Sequence, residues 1–227
     1  IVEPVAANMG VVPPAPGFLE GLRDACDRVG ALLVFDEVIT GFRVGPDGVS
    51  GATGVTPDLW CFGKVIGGGL PLAALGGRRE VLGVLAPEGP VYQAGTLSGN
   101  PLATAAGLAV LERLSPARYQ ALAATATELA AGLAAAAARA GVAVEVPRWG
   151  PLLGLFFAEA PVTDYEGATA VGDRYPAFFR GMLERGVAFA PGAYEAIFPS
   201  LAHGRDEIAA TVSAAEEVFA GMGATGA

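Results

Sequence analysis

The chain has 227 residues, of which 52% are hydrophobic, and its mean hydropathy is +0.48. This length allows one large domain or two small ones with a substantial core. A formal charge of −9 does not favour nucleic acid or anionic lipid as a partner. No uninterrupted apolar run approaches the roughly 20 residues of a spanning helix, so we expect no membrane insertion.

Cysteine and histidine offer little material for a metal site. Cys26 and Cys61 have no second ligand at metal-binding spacing, and the only histidine is His203. We therefore expect no metal centre. We predict the cysteines to be small buried residues kept reduced in a cytoplasmic protein, although a disulfide between them stays open.

The first four residues, Ile1 to Pro4, have no initiating methionine and no signal-peptide pattern. We interpret them as the tail of a strand and the chain as a fragment of a longer protein.

The first third of the chain alternates strand and helix. We predict a helix that ends at Gly30. The apolar run 31–35 after it predicts a strand buried on both faces. The predicted apolar face of that helix consists of Phe18, Leu22, Cys26 and Val29. Asp36 and Glu37 follow the second strand and Glu3 follows the first. Ligands of open α/β sheets bind outside the carboxyl ends of strands, so these acids mark a candidate site.

Further short strands and long helices are predicted along the rest of the chain. The predicted strands are 59–62, 72–75, 142–146, 152–157 and 187–190. The predicted helices are 100–114, about 117–140, segments between 164 and 185, and one from Asp206 onward. A change of composition after Pro116 predicts two domains, residues 1–115 and 116–227.

Lys64 is the only lysine among 14 basic residues. A position that keeps lysine in an arginine-rich chain suggests an amine that must lose its proton and attack a carbonyl. It ends an apolar run and precedes the glycines 67–69, where a flat ligand could approach the backbone closely. The alternative is a surface lysine retained by chance. The glycines follow the lysine, so the order does not match a nucleotide-binding P-loop.

Asp36 supplies a carboxylate behind a buried strand, where it needs a cationic partner. The pyridinium nitrogen of pyridoxal phosphate would be such a partner; a helix cap or a salt-bridged loop acid is the alternative. Val38, two residues on, would face the same ring or simply belong to the core.

Three more residues further along the chain are candidates for the site. Thr96 stands before a predicted helix start, a place that binds phosphate well, although Ser98 or Asn100 could equally cap that helix. Glu195 lies among apolar residues, which suggests a closed pocket. For His203, which precedes the last predicted helix, a structural role is favoured.

Seven groups of residues, in order along almost the whole chain, resemble the glutamate-1-semialdehyde aminomutases of the class III, fold-type I pyridoxal phosphate family. The matching segments are VEPV (2–5) with NMG (8–10), LVFDEV (33–38) with TGFR (40–43), GVTPDL (54–59), GKVIGGGLP (63–71), YQAGTLSGNP (92–101), YEA (194–196) and SLAH (200–203). The aspartate and lysine motifs are typical of the whole class; the segments around Thr96 and Glu195 favour the aminomutases.

The resemblance implies an α/β fold of type I, with residues 1–115 as the second part of the cofactor-binding large domain and 116–227 as a C-terminal small domain. Lys64 would hold pyridoxal phosphate as a Schiff base and shuttle protons, and Asp36 would bind the pyridine nitrogen. Asn8 would lie near the ring hydroxyl, and Thr96 would reach the phosphate bound by the partner subunit of a homodimer. Glu195 would sit near the substrate's amino groups.

The reaction implied is the conversion of glutamate-1-semialdehyde to 5-aminolevulinate for tetrapyrrole synthesis, with the pyridoxamine form of the cofactor aminating the aldehyde. Because the resemblance covers only the C-terminal half of the family, we expect this chain alone to be inactive or nearly so. An ω-amino acid aminotransferase of class III and a truncated protein without catalysis are the alternatives.

Overall fold

A computed structural model of the protein describes residues 1–224. The chain divides into two compact units: the first comprises Ile1–Pro4 and Ala15–Pro116, and the second comprises Val5–Pro14 and the residues from Ala117 onward. The assignment of these parts to a cofactor-binding large domain and a small domain stays a prediction.

The first unit is built on a three-stranded sheet in the order β1 (Val34–Glu37), β2 (Leu59–Phe62), β3 (Ala74–Gly77). β1 and β2 are parallel, whereas β3 runs antiparallel to β2. Val2 adds a parallel bridge to Phe35 on the other side of β1. Two of the three pairings are therefore parallel, as the predicted strand–helix–strand unit requires.

Four helices and one 3-10 turn surround this sheet. They are α1 (Phe18–Val29), α2 (Gly48–Thr53), the 3-10 turn Lys64–Gly67, α3 (Arg79–Leu82) and α4 (Pro101–Leu111). Gly30 ends α1 in the left-handed region, at φ 69°, and the Asn100 side chain caps α4 by accepting hydrogen bonds from the N–H groups of Leu102 and Ala103. Both predicted signals are confirmed.

The second unit packs its helices around a core of aromatic and aliphatic side chains. Its elements are α5 (Pro116–Arg139, entering the unit at Ala117), β4 (Arg148–Trp149), β5 (Leu152–Leu153), α6 (Tyr165–Ala170), α7 (Tyr175–Glu184) and α8 (Arg205–Ala224). Phe178 and Phe219, both fully buried, stack with ring centroids 5.2 Å apart.

The helix α5 is long and apolar enough to cross a membrane by length and composition alone, a test that core helices also pass. Its buried side chains include Leu129 and Leu133 and belong to this core.

Several predicted boundaries were wrong. Asp36 and Glu37 are the last residues of β1 rather than following it, because the backbone pairing with β2 continues to Glu37. In α1 the buried residue is Leu19, whereas the predicted face leaves Phe18 and Val29 exposed.

The strand predicted at 59–62 is confirmed as β2. The remaining strand predictions shift or shorten, because backbone pairing decides where a strand begins and ends. The third strand lies two residues later than predicted. Residues 142–157 form the short β4–β5 hairpin and two isolated bridges, Glu145 to Phe156 and Leu153 to Ile197. Residues 187–190 form no strand, since their apolar pattern finds no ladder partner in the part of the chain that is described.

The buried carboxylate of Asp58 joins the amino-terminal ends of β1 and β2. It accepts a hydrogen bond from the Leu33 N–H at 2.7 Å and forms ion pairs at 2.8 Å with Arg78 and with Arg23 of α1. The hydrogen bond from Arg78, followed by that from Leu33, holds the pKa of Asp58 well below its ordinary range. The ionised acid thus fixes a helix and two strands to one point.

We expect the Asp58→Asn variant to lower the free energy of unfolding by about 3 kcal/mol at neutral pH, because two arginines lose a buried partner. The folded-state pKa of Asp58 lies below the unfolded value of about 4. This stabilisation is therefore complete above that pH and is lost progressively as the pH falls from there towards the folded-state pKa. Urea denaturation at neutral pH and at about pH 3 should therefore show the difference between wild type and variant shrinking on acidification. The exposed Asp24→Asn is the control. A difference that stays constant with pH would contradict this account.

The segment Val5–Pro14 is held in the second unit by a tight contact at Gly10. Its φ is +82°, and a Cβ at this position would lie 2.3 Å from Cζ of the Phe156 ring. The Gly10 N–H also donates to the carbonyl of Tyr194 at 2.6 Å. Only glycine therefore fits here.

We expect Gly10→Ala to cost about 2–4 kcal/mol of unfolding free energy, from the positive φ and the collision with the buried ring. Gly186→Ala is a matched control in the same unit, because Gly186 has a φ of +78° but open space around its Cβ position. That variant should lose only about 1 kcal/mol, from the backbone alone. Equal losses in urea denaturation would show that the Phe156 contact contributes nothing.

Candidate active site

Asp36 lies at the carboxyl end of β1, half-buried, opposite Cys61 of β2 in the parallel register. Its Oδ1 accepts a hydrogen bond from the Val38 N–H at 3.1 Å. Its Oδ2 accepts none from the described residues. One oxygen is thus used to orient the carboxylate and the other is open to a donor from a ligand.

Lys64 follows the last residue of β2 by two positions and has an exposed side chain. Its φ is +47°, a left-handed conformation that is uncommon for a side chain with a Cβ and costs about 1 kcal/mol. Within residues 1–224 its amine forms no hydrogen bond or ion pair. The amine is therefore positioned by a strained backbone and not by a partner.

Val38 and Gly63 bring the ends of β1 and β2 into contact. A Cβ on Gly63 would lie 3.2 Å from Cγ1 of Val38, so the two chains approach as closely as a glycine allows. Asp36, Val38 and Lys64, three of the predicted site residues, thus gather at the carboxyl edge of the parallel pair.

Helix α4 packs directly on the turn that begins with Lys64. A Cβ on Gly107 would come within 2.7 Å of the Ile66 carbonyl, and a Cβ on Gly68 within 2.8 Å of Val110. Thr96 stands on the exposed turn before this helix, and its hydroxyl makes no hydrogen bond within the described residues. Thr96 therefore precedes the helix that packs on the turn of Lys64.

Cys61 lies on the same face as Asp36, since residues in parallel register point the same way. Burial, and secondly the negative charge of Asp36, raises the pKa of the Cys61 thiol. It stays a neutral neighbour of the carboxylate. Both cysteines are half-buried and unpaired, less buried than expected.

The remaining predicted residues, Asn8 and Glu195, belong to the second unit. Asn8 is exposed on the loop that the Ala6–Val12 pair closes, and the contact of Gly10 with Tyr194 brings this loop beside the segment of Glu195. Glu195 is exposed, so the described residues of its unit do not enclose it as the pattern suggested. Burial, and secondly the charge of Glu195, raises the pKa of Tyr175 to about 12, which shows that the carboxylate lies near this phenol.

His203 closes a local turn in front of α8. Its ring Nδ1 accepts a hydrogen bond from the Ser200 N–H at 2.9 Å, and the backbone N–H of His203 donates to the Ser200 carbonyl at 3.0 Å. These bonds are consistent with the structural role favoured for His203.

Glu37 was predicted only as one of the acids at the strand ends, with no role of its own, and it is fully buried at the end of β1. The only signal was a second acid directly after Asp36. Nothing in its spacing distinguished it from a solvent-exposed residue.

The chain is similar along most of its length to proteins of one known family. The family model of class III aminotransferases matches residues 1–219. A glutamate-1-semialdehyde 2,1-aminomutase of Pelotomaculum thermopropionicum is 58% identical over 221 residues, which are 96% of this chain and 51% of that protein.

Two solved structures share the fold. A β-phenylalanine aminotransferase from Variovorax paradoxus has a TM-score of 0.91 and 36% identity, covering 98% of this chain and 52% of that one. A glutamate-1-semialdehyde aminomutase from Pseudomonas aeruginosa PAO1, solved in complex with PMP, has a TM-score of 0.85 and 28% identity, covering 96% and 51%.

The chain thus spans about half the length of the proteins it matches. A family model that matches nearly all of its residues leads to one conclusion: the chain belongs to the class III aminotransferases, with the fold-type I architecture of pyridoxal phosphate enzymes.

Proposed function

We propose that this chain forms half of a pyridoxal phosphate-dependent aminomutase that converts glutamate-1-semialdehyde to 5-aminolevulinate in a cytoplasmic pathway of tetrapyrrole synthesis. The observation that carries the proposal is that the unpartnered amine of Lys64 and the open Oδ2 of Asp36 belong to the carboxyl ends of two paired parallel strands. The identity of 58% to an aminomutase supports this reaction over others of the class.

The residues of the first unit fit this cofactor. An aldehyde needs an amine free to condense, which Lys64 supplies, and a pyridinium N–H needs a carboxylate, which Asp36 supplies. Val38 would pack against the flat ring, since Gly63 leaves its side chain at the strand ends. When bound, pyridoxal phosphate supplies an electron-accepting ring that stabilises the charge left when a proton leaves the substrate carbon.

The chain's own residues would then act as follows. Asp36 would keep the ring nitrogen protonated, and Nζ of Lys64 would take the proton from, or return it to, the substrate carbon that loses or gains the amino group. Asn8 would orient the ring hydroxyl and Glu195 the substrate's amino groups. Thr96, exposed on its turn, would bind the phosphate of a second subunit, so we propose a homodimer with an active site at its interface.

A class III aminotransferase acting on an ω- or β-amino acid is the second candidate, favoured by the likeness to the β-phenylalanine aminotransferase. The two reactions share every step at Lys64 and differ in whether the amino group leaves the molecule.

Covalent attachment tests the cofactor site. In a protein of full family length that carries these 227 residues, incubation with pyridoxal phosphate and reduction with borohydride should place the label on Lys64, as read by peptide mass mapping. Lys64→Arg, which keeps the charge but cannot form the bond, should lose both the label and the visible absorbance band. Labelling of other lysines with Lys64 left unmodified would contradict the assignment.

Product analysis separates the two reactions. In the protein of full family length, with glutamate-1-semialdehyde as the only substrate, we expect 5-aminolevulinate to form without an added keto acid. The amino group that the cofactor gives to one substrate carbon would be replaced by the one removed from the neighbouring carbon. The Lys64→Ala variant should slow this by at least about 1000-fold, since the proton carrier is lost. A strict requirement for an external keto acid, with a new amino acid as product, would overturn the aminomutase proposal in favour of an aminotransferase.

A further inference from the structure

Glu37 is the last residue of β1 and is 0% exposed. Because side chains alternate along a strand, it points to the face opposite Asp36. In the part of the chain that is described, it forms no ion pair with arginine or lysine. A carboxylate is costly to bury without an ion pair, so hydrogen bonds must stabilise it.

Its donors come from a turn and from a helix start. Oε2 accepts from the Thr40 hydroxyl and from the Val49 N–H, both at 2.9 Å, and Oε1 lies 3.5 Å from the Ser50 N–H. Thr40 is itself buried. The carboxylate therefore ties the end of β1 to the following turn and to the first residues of α2.

The approach of α2 is close. Gly48 has a φ of +59°, and a Cβ on it would lie 2.4 Å from Oε2 of Glu37. The Gly41 N–H donates to the Glu37 carbonyl at 2.8 Å and closes the same turn from the backbone side. Glu37 is thus bound by Thr40, by the start of α2 and by the Gly41 N–H. These contacts fix the path of the backbone that leaves β1.

The path of the backbone after β1 sets the orientation of Asp36, which belongs to the candidate site on the other face of the sheet. Val38 starts the turn that Glu37 clamps, and its N–H makes the one hydrogen bond that orients Asp36. We infer that Glu37 is a positioning residue, which fixes Asp36 and Val38 from behind the sheet for the cofactor ring. The inference rests on the proposed function, since only a ring at this edge makes the orientation matter.

The test uses Glu37→Ala, Glu37→Gln and the control Asp58→Asn in a protein of full family length. Glutamine keeps one oxygen that can accept from both Thr40 and Val49, whereas alanine leaves these buried donors unsatisfied. Asp58 is a buried acid at the opposite end of the same strands, so its variant reports destabilisation without a change at the cofactor edge.

We expect Glu37→Ala to raise the Kd for pyridoxal phosphate by about tenfold or more, with faster amide hydrogen exchange at residues 38–50 in the cofactor-free protein. Glu37→Gln should stay within about threefold of wild type, and Asp58→Asn within about twofold. Comparable Kd values for Glu37→Ala and Asp58→Asn would overturn the inference, and so would unchanged exchange at residues 38–50. A wild-type protein that binds no pyridoxal phosphate would instead contradict the proposed function.

Discussion

The parallel pairing of β1 with β2 is the constraint on which the candidate site depends. Its register sets Asp36 beside Cys61 and leaves Lys64 just beyond the end of β2. A carboxylate and an amine from distant parts of the sequence therefore share one sheet edge. A slip of one residue would turn Asp36 to the opposite face and remove it from this edge.

Two buried acids hold this pair of strands at its two ends, by different means. Asp58 at the amino-terminal end is neutralised by two arginines, whereas Glu37 at the carboxyl end is held by a hydroxyl and by the N–H groups of a helix start. The first arrangement stabilises the unit and the second sets a direction.

Glycines let the elements around Lys64 approach closely. Gly63 makes room for Val38, and Gly107 and Gly68 let α4 lie on the turn that contains Lys64. Interiors are packed densely, so an added methyl group would displace the side chain of Val38 at Gly63 and of Val110 at Gly68, and would collide with the Ile66 carbonyl at Gly107. The position of the lysine is thus fixed by packing, while its amine stays without a protein partner.

The sequence alone determined the long helices, from caps and stops that act locally, such as Gly30 after α1 and Asn100 before α4, but not the short α2 and α3. It also singled out Lys64 and Asp36 as candidate site residues, because a single lysine and an acid behind an apolar strand are visible in the sequence itself. Only the tertiary structure decided the strand limits, the buried face of α1 and the role of Glu37. Strand limits depend on a partner strand, and the burial of Glu37 depends on α2, whose N–H donors lie twelve or more residues further on. Such contacts between distant residues leave no periodicity or spacing in the sequence that could reveal them.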